Sequence, residues 1–366
     1  MFSIIKRLII NLKSIIWPLV AMLVYFIGRS LENHSRLVEQ FYSTTINKWV
    51  RQGISWLSGF VTFSISEILI LLHVLAIPVI IVVMIKKFNK GELLIVTKKL
   101  LSYVSVMYIL FMLLWGFNYS RQSITEVMNL EVKESSTEEL YNLSKALILK
   151  ANDLRGQVNE DSEGVMTIEG GYESVFERSD EGYKEVTDEY RVLSGSYGKP
   201  KPIMLSRPML YTQIVGIYIP YTAEPNVNVA TPDLQIPTNT LHEMAHQRGF
   251  AYEGEANYIA YLTATAHKDS DFRYSGTMFA LKYTLNALLR DDYELGFELI
   301  SLLSEDVKRD LTYINGFWVK YEGKASEVAD TVNDTYLKGN GQEEGTKSYG
   351  QVVDLLLAHY RKYGEV

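Results

Sequence analysis

The chain has 366 residues, is 47% hydrophobic and carries a formal net charge of −7, an acidic balance that argues against nucleic acid as a partner. It contains no cysteine, which excludes disulfides, thiolate-held zinc and thiol catalysis. Its six histidines, His34, His73, His242, His246, His267 and His359, are the whole supply for any imidazole-based metal site.

The length allows two or three structural units, and long apolar runs are confined to roughly the first 120 positions. Three stand out, at about 8–28, 68–85 and 100–117. A hydrocarbon core is crossed by about 20 apolar helical residues, so three transmembrane helices are expected. Pro18 inside the first run, with no small-residue cleavage pattern after it, argues against a signal peptide. Lys6, Arg7 and Lys13 open the first run, and Lys86, Lys87, Lys90, Lys98 and Lys99 fill the short loop between the second and third. Arg29, Arg36, Lys48 and Arg51 are spread over a longer stretch between the first and second. Basic residues favour the cytoplasmic side, so the N-terminus is expected inside and everything after Phe117 outside. The expected division is a membrane anchor over 1–119 and an extracytoplasmic domain over 120–366. Trp115 and Tyr119 suit the lipid interface at the exit. The segment 31–60, with Leu37, Phe41, Trp49 and Trp56 among polar residues, reads as an amphipathic helix on the outer face, with a solvated loop as the alternative. His73, inside the second run, is expected to make a helix-packing hydrogen bond rather than serve a proton relay.

Beyond the membrane runs, Ser-Thr-Glu-Glu opens a helix at 136–157, an acidic loop follows at 158–172, and a second helix at 173–194 ends in the Gly- and Pro-rich stretch 195–202. The β-branched and aromatic texture of 214–221 and the alternation at 226–230 predict a small sheet with an exposed edge. Pro237 and Thr238 open the next helix, and further helices are expected at 254–267, 274–290, 292–302, 304–319, 325–336 and 348–363. The fold class expected is mainly α: three spans, then a mostly helical outer domain with a small β-sheet.

The sequence PTNTLHEMAHQRGFAYEGEAN at 237–257 carries the chemistry. Histidines at i and i+4 of a helix point the same way, so His242 and His246 can bind one zinc ion at ~2.0–2.1 Å. Glu243, beside the first histidine, can take a proton from metal-bound water. Met244 and Ala245 suit a buried helix, Arg248 is unexpected there, and Gly249 turns the chain back. A hydrolytic zinc keeps three protein ligands and one open position. The third ligand is Glu253 or Glu255. Glu253 is preferred because Asn257 lies one turn beyond it as a supporting amide, and Ala256 and Ala260 let the two helices approach. His267 lies too far along the helix and is expected to be structural.

EGEANYIAYL is similar to the Glu-x-x-Ala-Asp/Asn helix of gluzincin-like HExxH peptidases. WGFNY at 115–119, GIYIPYTAEPNVN at 216–228, HEMAHQRGFAYEGEAN at 242–257 and GNGQEEGTKSYGQVVDLL at 339–356 together resemble the DUF3810 family of bacterial membrane proteins over nearly the whole chain. The resemblance implies a zincin-like domain with Glu253 as metal ligand. The spacing from His246 to Glu253 is shorter than in most gluzincin-like enzymes, which keeps Glu255 in play. The expected activity is zinc-dependent peptide hydrolysis with Glu243 as general base. A tyrosine would support the oxyanion: Tyr349 in the KSYG turn first, then Tyr336 and Tyr218. A substrate peptide is expected along the strand 214–221, with Glu224, Asn226 and Asn228 lining the same cleft. Alternatives are a cell-wall amide hydrolase, a peptide sensor, or a non-catalytic metal-binding membrane protein.

Overall fold

The computed structural model describes residues 2–340 and 351–366, with side chains from Ile15 onward. The chain is mainly helical. Helix α1 (Phe2–Leu31) contains Pro18 and is followed by a π-helical stretch, Val38–Ile46, that runs into α2 (Asn47–Ser58). Helices α3 (Ile65–Phe88) and α4 (Leu93–Leu114) are long and apolar enough to cross a membrane. Ile15–Leu31 qualifies only together with Ser35–Ser58, from which it is bent by 108°. Among the described residues, the helices apolar enough to span therefore number two or three. Between α3 and α4, His73 accepts or donates a hydrogen bond with the Tyr103 hydroxyl, which ties the two helices together. The segment 31–60 is helical, not a solvated loop, and its polar residues Ser43, Asn47, Arg51 and Ser55 face inward.

The remaining elements form one apolar core around the HExxH helix. Helix α5 (Thr137–Arg155) begins with a capping box between Ser136 and Glu139, as its sequence signalled. A short hairpin of β1 (Asn159–Glu160) and β2 (Met166–Thr167) sits inside the stretch expected to be loop. Helix α6 (Gly171–Thr187) ends earlier than its sequence predicted and passes into a 3-10 turn at Arg191–Leu193. Next comes a three-stranded sheet ordered β3 (Lys201–Pro202), β5 (Glu224–Val227), β4 (Gly216–Ile219). β3 pairs with β5 in parallel and β4 pairs with it antiparallel, so β4 is an edge, as expected. Helix α7 (Ile236–Gln247) carries the HExxH run, and α8 (Glu253–Thr265) crosses it. Helices α9 (Ser270–Asp291), α10 (Tyr293–Ser301), α11 (Glu305–Val319), α12 (Lys324–Gly339) and α13 (Gln351–Tyr363) follow close to their expected bounds. Leu143, Leu147, Ile148, Phe250, Tyr258, Ile259, Phe272 and Leu281 are fully buried in this core. Asp310 joins it as the shared acceptor of Arg155 at 2.7 Å and Tyr274 at 2.8 Å.

The boundary expected at 119/120 is crossed by buried polar contacts. Arg121 pairs with Glu39 at 2.8 and 2.9 Å, both side chains being almost wholly buried. Glu224 accepts from Ser66 N at 2.8 Å and Ser66 Oγ at 2.7 Å, so a strand of the sheet caps the start of α3. Glu67 answers by accepting from Met204 N at 2.6 Å and Leu205 N at 2.8 Å. Carboxylates at a helix N-terminus satisfy its free N–H groups and its positive end.

Two stability predictions follow from these contacts. Glu224→Ala strands donors at Ile65 and Ser66, and should cost about 3 kcal/mol in unfolding measured in detergent micelles. His359 on α13 shares a hydrogen bond with the Tyr258 hydroxyl through Nδ1 at 2.8 Å, and burial pushes its pKa down to about 4. The unfolded chain, with a histidine near its ordinary value, takes up that proton first. Its contribution to stability is complete above about pH 6.5 and is lost as pH falls toward 4. His359→Gln should flatten the fall in thermal midpoint across that interval.

Candidate metal centre

Local sequence builds the centre. Pro237 in the first turn of α7 leaves no N–H to satisfy and sets the helical φ. At the other end the Gly249 N–H bonds to His246 O at 2.8 Å and Phe250 N–H to Ala245 O at 3.2 Å, an ending that needs a left-handed residue. Gly249 has φ +85°, and a Cβ there would meet the Arg51 guanidinium at 2.7 Å. Glycine is required twice, for backbone and for space. The turn returns the chain so that Glu253, the first residue of α8, faces α7.

His242, His246 and Glu253 converge, with one donor atom from each within 4.8 Å of the others. The two Nε2 atoms are 3.1 Å apart, and Glu253 carboxylate oxygens lie 3.3 Å from His242 Nε2 and 3.7 Å from His246 Nε2. Tetrahedral zinc with bonds of ~2.0–2.1 Å separates its ligand atoms by about 3.3 Å. The three groups thus fit a small divalent ion without rearrangement. His246 Nδ1 lies 2.7 Å from Phe250 O, so Nδ1 carries the hydrogen and Nε2 turns its lone pair to the centre. Asn257, one turn beyond Glu253 on α8, is buried. Burial pushes His246 down to about 4. Burial also opposes charge on His242, but its bond to Glu253 and that carboxylate's charge raise it. Burial works to raise Glu253, and the two imidazoles hold it below the usual range instead.

Glu243 is buried beside this group, and its Oε2 has no hydrogen-bond partner. Burial pushes its carboxyl up to about 8, against the pull of His242. It lies against Gly216 of β4, where a Cβ would fall 2.4 Å from Oε1. The edge strand therefore runs directly past this carboxyl, and only glycine permits the approach. Asn239, one turn before Glu243 on α7, presents a buried Nδ2 without a partner. Trp115 packs edge-on against His246, ring centroids 5.8 Å apart.

Several expected positions differ. Glu255 accepts from Ile124 N at 2.7 Å and faces Arg121, away from the metal-type group; burial pushes it up to about 7. Of the two competing glutamates, the geometry brings only Glu253 to the histidines. Glu224, Asn226 and Asn228 do not line the cleft. Glu224 caps α3, Asn226 Nδ2 donates to Ile217 O at 3.1 Å and Glu224 O at 2.9 Å, and Asn228 Nδ2 donates to Ile214 O at 3.1 Å. These polar groups are buried, and the backbone of the hairpin claims them. Trp115 is buried as a wall of the site instead of facing lipid. Tyr218 packs against Trp115 with ring centroids 5.0 Å apart, and its hydroxyl is buried and unpartnered. Tyr336 meets Tyr119 hydroxyl to hydroxyl at 3.1 Å. Burial raises both phenols, and both feel the Glu253 charge. Tyr349 lies outside the described residues. His267 bonds the Arg178 carbonyl at 3.2 Å and stacks on Phe272, a structural role. Arg248 is explained: buried between Tyr183 and Tyr197, it donates to Leu193 O and Asp180 at 2.9 Å each. Trp115, Gly216 and Asn239 were missed by sequence reasoning. Asn239 alone had a local signal, its i−3 and i−4 spacing from His242 and Glu243.

A protein-family model described as a protein of unknown function, DUF3810, matches residues 42–357. No curated protein and no solved structure matches the chain.

Stoichiometric zinc uptake, measured by elemental analysis of the purified full chain, should be lost in His242→Ala and Glu253→Ala and kept in Glu255→Gln. Equal loss in Glu255→Gln and Glu253→Ala would contradict the ligand assignment.

Proposed function

On the footing that the chain belongs to the DUF3810 family, we propose that it is a membrane-anchored, zinc-dependent peptidase. The observation that carries the reading is the meeting of two elements. His242, His246 and Glu253 present converging donors, and Glu243 sits between that group and the exposed edge strand at Gly216. A structural metal site has no need of a buried, unpartnered carboxyl beside its ligands.

In this reading His242, His246 and Glu253 hold zinc, which when bound supplies a Lewis acid and acidifies water. The chain's own residues do the rest. β4 offers edge N–H and C=O groups to an extended substrate, which fixes the scissile bond near Glu243. Glu243 takes a proton from the attacking water at Oε2 and returns it to the leaving amine. Asn239 Nδ2 and the paired hydroxyls of Tyr119 and Tyr336 are the donors available to a developing oxyanion. Trp115 shields His246 from water on the membrane side.

The topology in this reading has three spans, α1, α3 and α4. Gly28 near the end of α1 lies against Met112 near the end of α4, so these two run the same way. α3 runs opposite, and at ~1.5 Å per residue its 24 residues exceed the ~30 Å hydrocarbon core. The ends at Leu31, Ile65 and Leu114 then share the domain's side. The N-terminus and the lysine-rich 86–99 loop share the other side, which the basic residues mark as cytoplasmic.

Glu243→Gln tests the reading. It should leave zinc content unchanged and lower the rate of peptide hydrolysis by about 10²–10⁴-fold. A variant that keeps full activity, or loses its metal, counts against Glu243 as the base.

A further inference from the structure

The candidate centre lies close to the end of a membrane helix. Trp115, the first residue after α4, packs on His246. The lipid level can be read from helix pairing. His73 of α3 and Tyr103 of α4 are bonded, so stepping outward residue by residue along this antiparallel pair sets Ile65, the start of α3, level with Phe111. Trp115 is one helical turn further, about 6 Å along the axis.

The helix linking the spans is polar on the inside and apolar on the outside. Ser35–Ser58 is bent 108° from Ile15–Leu31, so it runs across the span direction. Its polar side grips the site. Arg51 Nη1 donates to Gln247 O at 2.7 Å, and Gln247 Nε2 donates to Ser55 Oγ at 2.8 Å. Its outer side exposes Phe41 by 63%, Trp49 by 72% and Trp56 by 64%, and the turn after it exposes Phe60 by 69%. A helix facing water has the opposite arrangement. The apolar face is continuous with spans at both ends, and the tryptophans suit a headgroup layer. The edge strand leads to the same level: just beyond β4, Tyr221 donates to Met107 O of α4 at 3.0 Å, one turn on the membrane side of Phe111.

We infer that the site works at the lipid surface and that its substrates are polypeptides tethered to the same membrane, cut within a few residues of it. The substrate class rests on the peptidase reading; the seating of the 38–60 helix in lipid does not. A bond held at Glu243, beside a centre whose His246 packs on the first residue after α4, is within reach of an anchored chain after a few extended residues.

Two measurements on the full chain in phospholipid vesicles test this. In the first, tryptophan fluorescence is quenched by brominated lipid or by aqueous iodide, in wild type and in Trp49→Phe/Trp56→Phe. The part of the signal removed by the double substitution should be quenched by lipid bromine; quenching by iodide instead overturns the seating. In the second, palmitoylated peptides of randomised sequence and the same peptides without the anchor are supplied at equal concentration, with Glu243→Gln as blank. Anchored peptides should be cut at least about tenfold faster, at sites within about ten residues of the lipid. Equal rates, or sites scattered along the anchored chain, overturn the substrate class. No cleavage in either arm overturns the peptidase reading and the substrate class with it, while the quenching result still decides the seating.

Discussion

A buried guanidinium holds the centre in register. Arg51 is almost wholly inaccessible, and each of its three guanidinium nitrogens donates a hydrogen bond: Nε to Asn47 Oδ1 at 2.7 Å, Nη1 to Gln247 O at 2.7 Å and Nη2 to Ser43 O at 2.9 Å. A charge removed from water must be paired or hydrogen-bonded throughout, so this side chain leaves little freedom to what surrounds it. It fixes the end of the HExxH helix, occupies the space beside Gly249, and so directs the turn that brings Glu253 to the two histidines. Arg121 adds a second donor to the same turn, at Gly249 O, while paired with Glu39. Carbonyls at a helix C-terminus carry partial negative charge, and cations are favoured there. Two arginines, from positions 51 and 121, thus complete the helix that carries the HExxH run.

What could be read from the sequence was what local pattern determines. The HEMAH spacing, the glycine stop and the face shared by Glu253 and Asn257 are properties of one or two helical turns, and the helices followed their capping and apolar periods. What could not be read was set by contacts between distant residues. β3 is only Lys201–Pro202, with a proline, and exists because β5 pairs with it in parallel. Glu224 looked like a cleft residue by proximity in sequence to β4, and is claimed instead by the N-terminus of α3 across 158 positions. Trp115 looked like an interface anchor by composition, and became a wall of the site because α4 ends against α7. Glu253 and Glu255 were hard to separate by spacing alone; the competitor is removed by Ile124 N, a donor no spacing rule reveals.

The same contacts bear on how the first 120 residues and the rest of the chain relate. Glu224 caps the start of α3 and Glu67 accepts from the backbone at Met204 and Leu205, Arg121 pairs with Glu39, and Arg51 spans to Gln247. Each is a buried, charge-assisted bond, the kind whose loss leaves an uncompensated group. They rigidify the joint more than they add net stability, since charges pay for desolvation before they gain by pairing.

The placement of Arg51 also has a temporal side. Residues 43–55 leave the ribosome long before residues 247–249, yet the third bond of the guanidinium, after those to Asn47 and Ser43, goes to Gln247 O, 196 positions later. Closing so distant a contact is entropically slow and comes late in folding. The turn that aims Glu253 can settle only after the helices before it are in place. The donor cluster thereby depends on a contact that the chain can close only once both ends of this long interval have been made.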